Sequence, residues 1–107
     1  SAVEEARERL AGLPEEKRIR ALLLGLKAEA AGARAMAARI LESEWRHLPE
    51  HVQEIQAAHA RETDAHARDR MANLLTILAM HCPDRIVESS QPAPPPDEAD
   101  DAQDGEA

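Results

Sequence analysis

Alanine is the most frequent residue of this chain, and it limits what the chain can fold into. Of the 107 residues 22 are alanine, whereas Phe and Tyr are absent and Trp occurs once. Alanine has the highest helix propensity, and the aromatic and β-branched residues that favour strands are scarce. The sequence therefore predicts an all-α fold in which many helix positions offer only a methyl group to the core.

Charge divides the chain into two parts. Residues 88–107 hold seven acidic residues and no Lys or Arg, whereas residues 1–87 hold the other 14 acids and all 13 basic residues. The acidic end follows the proline-rich run 91–96, and it has too few large apolar side chains to offset its ordering entropy by burial. We expect a helical domain over 1–87 and a disordered, acidic, proline-rich tail over 88–107. Without a net basic charge, direct nucleic-acid binding is not expected.

The sequence also excludes several classes of protein. Cys82 is the only cysteine, so there is no intramolecular disulfide framework. No apolar run approaches the roughly 18 residues that span a bilayer, and no signal-peptide pattern is present. A cytoplasmic protein that does not act at a membrane is therefore expected. The absence of a glycine-rich phosphate loop and of a nucleophile–base motif predicts a non-enzymatic protein without a cofactor.

Three prolines mark the predicted helix boundaries. Pro14 and Pro49 are each followed by glutamate, which is typical of a first helical turn, and Pro83 ends a helical pattern. The pattern predicts a short helix over 2–11 and two long helices over 14–46 and 49–81. Because the connection between the long helices is short, we expect an antiparallel helical hairpin.

Apolar residues recur at three- and four-residue steps in both long helices, with alanines between them. Such stripes bury little surface per residue, so the sequence predicts that two hairpins pair into a dimeric four-helix bundle. Asn73 either fixes the register of this core or points outward, and Trp45 either closes the bundle end or forms a partner hot spot. The candidate core and dimer residues are Ile19, Leu23, Leu26, Ile40, Trp45, Ile55, Met71, Asn73, Leu74 and Leu78.

The second long helix carries a polar face. His59, Glu62 and His66 lie at positions i, i+3 and i+7, a spacing that brings them to one side of a helix. Such a set is able to bind Zn²⁺ or iron, but the Glu-x-x-His order of di-iron bundles is missing. A polar seam that contacts a partner is the preferred interpretation. The partner-binding candidates, expected to be exposed, are His59, Arg61, Glu62, His66, Arg68 and Arg70.

One stretch resembles a known family. Residues 49–58 (Pro-Glu-His-Val-Gln-Glu-Ile-Gln-Ala-Ala), His66-Ala67, residues 73–78 (Asn-Leu-Leu-Thr-Ile-Leu) and Pro83 are similar to the last helix of the TraM family. The resemblance covers about residues 48–87 and needs one extra helical turn before His66. Members of that family are small helical anti-activators that bind and silence LuxR-type quorum-sensing regulators. The resemblance implies paired long helices, a dimer, no cofactor and a protein partner.

These observations lead to one main functional hypothesis. We expect a dimeric, helical protein–protein interaction module that regulates a partner by binding it, with an anti-activator of a transcription factor as the specific form. Two alternatives remain open at this point. The chain is either a dimerising or docking segment of a larger multidomain protein, or a metal-binding helical bundle that uses His59, Glu62 and His66.

Overall fold

The computed structural model describes residues 1–87, which form five α-helices and no strand within that range. The all-α prediction is therefore confirmed, whereas the predicted disordered tail over 88–107 lies outside the described residues. The helices are α1 (Ala2–Ala11), α2 (Glu15–Gly25), α3 (Ala31–Glu42), α4 (Val52–Arg61) and α5 (Ala65–His81). Three 3-10 turns occupy Trp45–His47, Pro49–His51 and Pro83–Arg85.

The prediction of two uninterrupted long helices over 14–46 and 49–81 is wrong, because each of these segments is broken near its middle. The first break separates α2 from α3 after Gly25, a residue type that disfavours the helix interior. The second break separates α4 from α5, where the Asp64 carboxylate caps α5 by accepting a hydrogen bond of 2.9 Å from the Ala67 amide. The apolar periodicity resumes after each break, so the periodicity alone did not reveal them.

The first broken helix folds back on itself. Near the start of α2, Nε and Nη2 of Arg18 donate hydrogen bonds of 2.9 and 3.2 Å to the Glu44 carboxylate. At the other end of α2, a Cβ placed on Gly25 would lie 2.9 Å from the Cβ of Ala37. These two contacts place α2 antiparallel to α3, with their backbones unusually close at Gly25.

The second broken helix supplies the other half of the core. Two ion pairs, Arg34–Glu62 and Glu42–Arg70, join α3 to the α4–α5 segment, and both link residues 28 positions apart. A constant separation means that α3 and α5 run parallel to each other. The connection between α4 and α5 spans only residues 62–64. The side chain of Gln56 on α4 forms hydrogen bonds with the backbone of Val87, beyond the end of α5, so the chain reverses at this connection and α4 and α5 form an antiparallel pair.

Contacts between α2 and α4 complete the arrangement. The Glu54 carboxylate on α4 lies 3.2 Å from Nη1 of Arg20 on α2 and 3.9 Å from Nζ of Lys27, just beyond the end of α2. The helices α2, α3, α5 and α4 therefore surround one core within a single chain. The hairpin dimer was predicted because two helices alone would leave part of their apolar surface exposed. In this fold the apolar stripes of the four helices are buried within one chain, so that reason no longer applies.

Most of the predicted core residues are buried in this single chain. Asn73 and Trp45 are the two exceptions. Helix α5 turns Met71 and Leu74 inward, and Asn73 between them is exposed, as one of the two open interpretations had it. Trp45 is half-buried. The predicted residues that are buried are Ile19, Leu23, Leu26, Ile40, Ile55, Met71, Leu74 and Leu78.

Helix α1 has the bounds that the sequence predicts, but it lies at the edge of the fold. Its apolar stripe of Val3, Ala6 and Leu10 is only half-buried against the core cluster, and no residue of α1 is fully buried. It packs along α3. Among residues 1–87, no helix has both the length and the apolar character that a membrane span requires.

Candidate protein interaction surface

The single tryptophan is half-buried at one end of the four-helix core, where it packs against the core cluster. Trp45 begins the 3-10 turn that follows α3, and its ring stacks on the imidazole of His81, the last residue of α5. The two ring centroids are 3.8 Å apart and the planes are inclined by 14°. Because α3 and α5 run parallel, their C-terminal ends lie at the same end of the core, and this brings the two rings together.

A cation adjoins the same aromatic ring. The guanidinium carbon of Arg46 lies 4.8 Å from the Trp45 ring centroid, within the range of a cation–π interaction. The nearby carboxylates are otherwise engaged, since Glu42 pairs with a residue of α5 and Glu44 with Arg18. Within residues 1–87, Arg46 therefore has no carboxylate partner and keeps its charge available to an incoming group.

Apolar side chains of α5 border the aromatic pair. Met80, next to His81, is 72% exposed, the largest exposure of any large hydrophobic side chain among residues 1–87. Ile77 precedes His81 by one helical turn and is half-buried. We refer to Trp45, Arg46, Ile77, Met80 and His81 as the Trp45 surface.

The composition of the Trp45 surface suits protein recognition. Trp and Arg dominate interface hot spots, and Met is enriched at interfaces because its flexible, polarisable side chain adapts to different partners. The Trp45 ring is also held in place by His81 and Arg46, so little conformational entropy remains to be lost on binding. The surface can therefore present a preorganised aromatic anchor beside an apolar, cationic edge.

Glu62 is not the exposed partner-binding residue that the sequence predicts. Only 6% of the residue is exposed, and its carboxylate accepts hydrogen bonds of 2.7 and 2.9 Å from Nε and Nη2 of Arg34. The hydrogen bond from Arg34 holds the pKa of Glu62 below its ordinary value of 4.5 against the opposing effect of burial. The same hydrogen bond raises the pKa of Arg34. Both groups therefore stay charged and bound to each other.

The other predicted partner residues are divided between two helices. His59 is half-buried and Arg61 exposed on α4, whereas His66 and Arg68 are exposed on α5. Arg70 is half-buried, because its Nη2 lies 3.0 Å from a Glu42 oxygen and ties α5 to α3. The break at residues 62–64 thus removes the continuous polar face on which this prediction depended.

The same break separates the residues of the metal-binding alternative. His59 and His66 belong to α4 and α5 respectively, and Glu62 between them is occupied by Arg34. Among residues 1–87, no group of three or more His, Cys, Asp or Glu side chains is arranged to hold a metal ion. The metal-binding alternative therefore has no geometric support in this part of the chain.

Sequence reasoning missed most of the Trp45 surface. It named Trp45 as a hot spot only as an alternative, and it gave His81 no role. The aromatic stack joins residues 36 positions apart in the sequence, so it depends on the parallel packing of α3 and α5. The spacing of Ile77, Met80 and His81 on one side of α5 was the available signal.

Comparison of the chain with protein-family models, with curated proteins and with solved structures finds no match. The residues that resemble the last helix of the TraM family are divided here between Pro49–His51, α4 and α5. The single helix that the predicted resemblance implied for this stretch is therefore wrong, because the stretch forms a helical hairpin of α4 and α5 in this chain.

Proposed function

We propose that this chain is a non-enzymatic protein–protein interaction module that binds a partner protein through the Trp45 surface. The observation that carries the proposal is the position of Trp45. The only aromatic side chain of Phe, Tyr or Trp type in the chain is half-buried at the end of the core, beside a methionine that is 72% exposed. Trp45 packs against the core cluster with part of its side chain, and the remaining accessible part is available to a partner.

The chemistry of the surface defines the expected partner segment. Trp45, Ile77 and Met80 offer apolar area, and the guanidinium of Arg46 offers a positive charge at its edge. An amphipathic helix with an apolar face and an acidic residue beside it matches both features. Such a helix of a partner protein is the proposed occupant of the Trp45 surface.

The first partner to test follows from the resemblance to the TraM family. A LuxR-type regulator is the partner class of that family, and binding it would make this chain an anti-activator of a transcription factor. The proposed interaction surface and the identity of the partner are separable, because another partner can use the same surface. Identification of the protein captured at the surface distinguishes the two.

The proposal is tested by site-specific photo-cross-linking in cells, followed by identification of the adduct. A photoreactive residue at Met80 should capture a defined partner, and Trp45→Ala should abolish that adduct. The matched control position is Leu24, which is 55% exposed on α2 near the opposite end of the core. Equal capture from both positions, or capture that does not depend on Trp45, would contradict the proposed surface.

Binding is then measured with the purified protein and the identified segment. Trp45 is the only tryptophan, so its fluorescence reports directly on the proposed surface. We expect Met80→Asp to weaken binding at least about tenfold, which corresponds to roughly 1.4 kcal/mol, whereas Leu24→Asp should leave it unchanged. An effect of the same size from both variants would overturn the assignment.

A second copy of the chain is the other occupant that these measurements would reveal. The predicted homodimer is no longer needed to cover the apolar stripes, but two Trp45 surfaces are able to meet about a twofold axis. Native mass spectrometry over a range of concentrations tests this outcome. A dimer that Met80→Asp dissociates and Leu24→Asp preserves would place the self-association at the Trp45 surface.

A further inference from the structure

The Trp45 ring is engaged on its π surface by groups of the chain itself. The imidazole of His81 stacks on the ring with the two centroids 3.8 Å apart, and the guanidinium carbon of Arg46 lies over the ring at 4.8 Å from its centroid. The same side chain also packs against the core cluster. A partner that approaches Trp45 therefore meets mainly the edge of the ring.

That edge carries a free hydrogen-bond donor. The indole Nε1–H of Trp45 is accessible to solvent and forms no hydrogen bond with any residue in the range 1–87. The neighbouring guanidinium of Arg46 has no carboxylate partner in that range either. Both groups only donate hydrogen bonds, and the edge of an aromatic ring is electropositive. Their complement is therefore a negatively charged acceptor, which a carboxylate provides.

Two apolar side chains define what should surround that carboxylate. Met80 is 72% exposed and Ile77 is half-buried, and both lie on α5 close to His81 in the sequence. A small free anion would sit beside these side chains without covering them. An acidic residue on an amphipathic helix brings apolar side chains of the same segment with it, so the segment covers Met80 and Ile77 while its acid reaches the donors.

Building on the proposed function, we infer that the Trp45 surface recognises an Asp or Glu of the partner helix through two donors. One carboxylate oxygen accepts a hydrogen bond from the indole Nε1–H of Trp45, and the other binds the guanidinium of Arg46. Two donors on adjacent residues fix the position of the carboxylate and thereby the register of the helix on Ile77 and Met80. Trp45 then contributes a specific polar contact, which an aromatic ring of equal size without an N–H group does not provide.

The probe is a capped helical peptide with two leucines and one glutamate on the same face, and its control is the same peptide with glutamine for glutamate. Trp45 is the only tryptophan, so its indole N–H gives a single resonance in the proton–nitrogen NMR spectrum of the full chain. We expect the glutamate peptide to shift this resonance saturably and to bind about tenfold more tightly than the glutamine peptide. Inorganic phosphate, which has no apolar part, should bind at least about tenfold more weakly than the glutamate peptide. Equal binding of the two peptides, binding of phosphate as tight as that of the glutamate peptide, or no binding of either peptide would overturn the carboxylate site.

Two substitutions separate the hydrogen bond from the apolar contact, with binding followed through the backbone amide of His81. Replacing Trp45 by benzothienylalanine keeps the shape of the ring but puts sulfur in place of the N–H group, and it should reduce the preference for the glutamate peptide several-fold. Arg46→Gln should do the same, whereas Arg68→Gln removes an exposed arginine in the first turn of α5 and should leave the preference unchanged. An unchanged preference in the benzothienylalanine protein would refute the indole contact. The proposed interaction surface would still stand in that case if Trp45→Ala abolished the partner adduct.

The chain's own acidic residues over 97–106 are the other source of a carboxylate. Replacing all of them by the corresponding amides in the full chain should leave the indole resonance of Trp45 unchanged when no peptide is present. A change in that resonance would assign the site to the chain's own carboxylates and would contradict the assignment to a partner helix.

Discussion

Arg34 and Glu62 form a bidentate ion pair that joins the connection between α2 and α3 to the connection between α4 and α5. Two guanidinium nitrogens of Arg34 lie 2.7 and 2.9 Å from the Glu62 oxygens. The Nη1 of Arg34 also donates to the carbonyls of Ala28 and Glu29, both at 2.8 Å, and Glu62 accepts from the Asp64 amide at 2.9 Å. The pair therefore binds backbone groups of both connecting segments where α3 and α5 begin.

Glu62→Gln should destabilise the chain clearly. The amide keeps the shape of the side chain but loses the charge, so the guanidinium of Arg34 is left without its partner. We expect the Tm in thermal denaturation to fall by several degrees. The matched control is Glu54→Gln, because Glu54 pairs with the more exposed cations Arg20 and Lys27 and its loss should change the Tm little. Equal losses from both variants would contradict the role given to Glu62.

The same ion pair predicts how stability depends on pH. The pKa of Glu62 is lower in the folded chain than its ordinary value of 4.5, because Arg34 binds the ionised form. Its contribution is therefore fully present above that value and is lost as the pH falls through the lower pKa of the folded state. Urea unfolding from neutral pH to about pH 3 should show the difference between wild type and Glu62→Gln shrinking with acid. A difference that grows on acidification would reverse the assigned sign.

Replacing two of the glycines by alanine should change the free energy of unfolding in opposite directions. At Gly25 the added Cβ would lie 2.9 Å from the Cβ of Ala37, so Gly25→Ala should lower the free energy of unfolding by about 1–3 kcal/mol. At Gly32 nothing lies within 4 Å, and Gly32→Ala should raise it by about 0.5 kcal/mol through helix propensity. Chemical denaturation of both variants measures the pair. Adding Ala37→Gly to Gly25→Ala should restore part of the loss.

The start of α5 depends on a capping side chain. The Asp64 carboxylate accepts a hydrogen bond of 2.9 Å from the Ala67 amide. Asp64→Ala should therefore cost about 1 kcal/mol of stability, and Asp64→Asn should retain most of it. The adjacent Thr63→Ala is the control, because Thr63 is exposed and makes no capping hydrogen bond to α5. Loss of stability in Thr63→Ala but not in Asp64→Ala would contradict this assignment.

Helix α1 should open more readily than the four-helix core. Its stripe of Val3, Ala6 and Leu10 is only half-buried, whereas α5 buries Leu74 and Leu78 completely. Native-state hydrogen exchange should give α1 amides a lower opening free energy than α5 amides. Accordingly, Leu10→Ala should change global stability much less than Leu74→Ala, for which we expect a loss of about 2–5 kcal/mol. Equal protection of α1 and α5 would show that α1 belongs to the cooperative core.

The polar residues that the sequence singled out had roles that depend on distant parts of the chain. Glu62 and Arg70 were expected on an exposed face, but Glu62 binds Arg34 and Arg70 binds Glu42, and both of these partners belong to α3. The sequence around a charged residue does not indicate whether its side chain faces solvent or pairs with a residue of another helix. The exposed position of Asn73 was one of two open outcomes for the same reason.

What the sequence by itself determined is local. Helix propensity and apolar spacing identified the helical class, the bounds of α1 and the residues that face inward, because each depends only on neighbours within a few positions. Only the tertiary structure decided where the long helical segments break and that α3 and α5 run parallel. Those features depend on ion pairs between residues 28 positions apart and on the close approach of Gly25 to Ala37. Because the spacing of apolar residues is the same on both sides of each break, it does not indicate that the chain reverses its direction there.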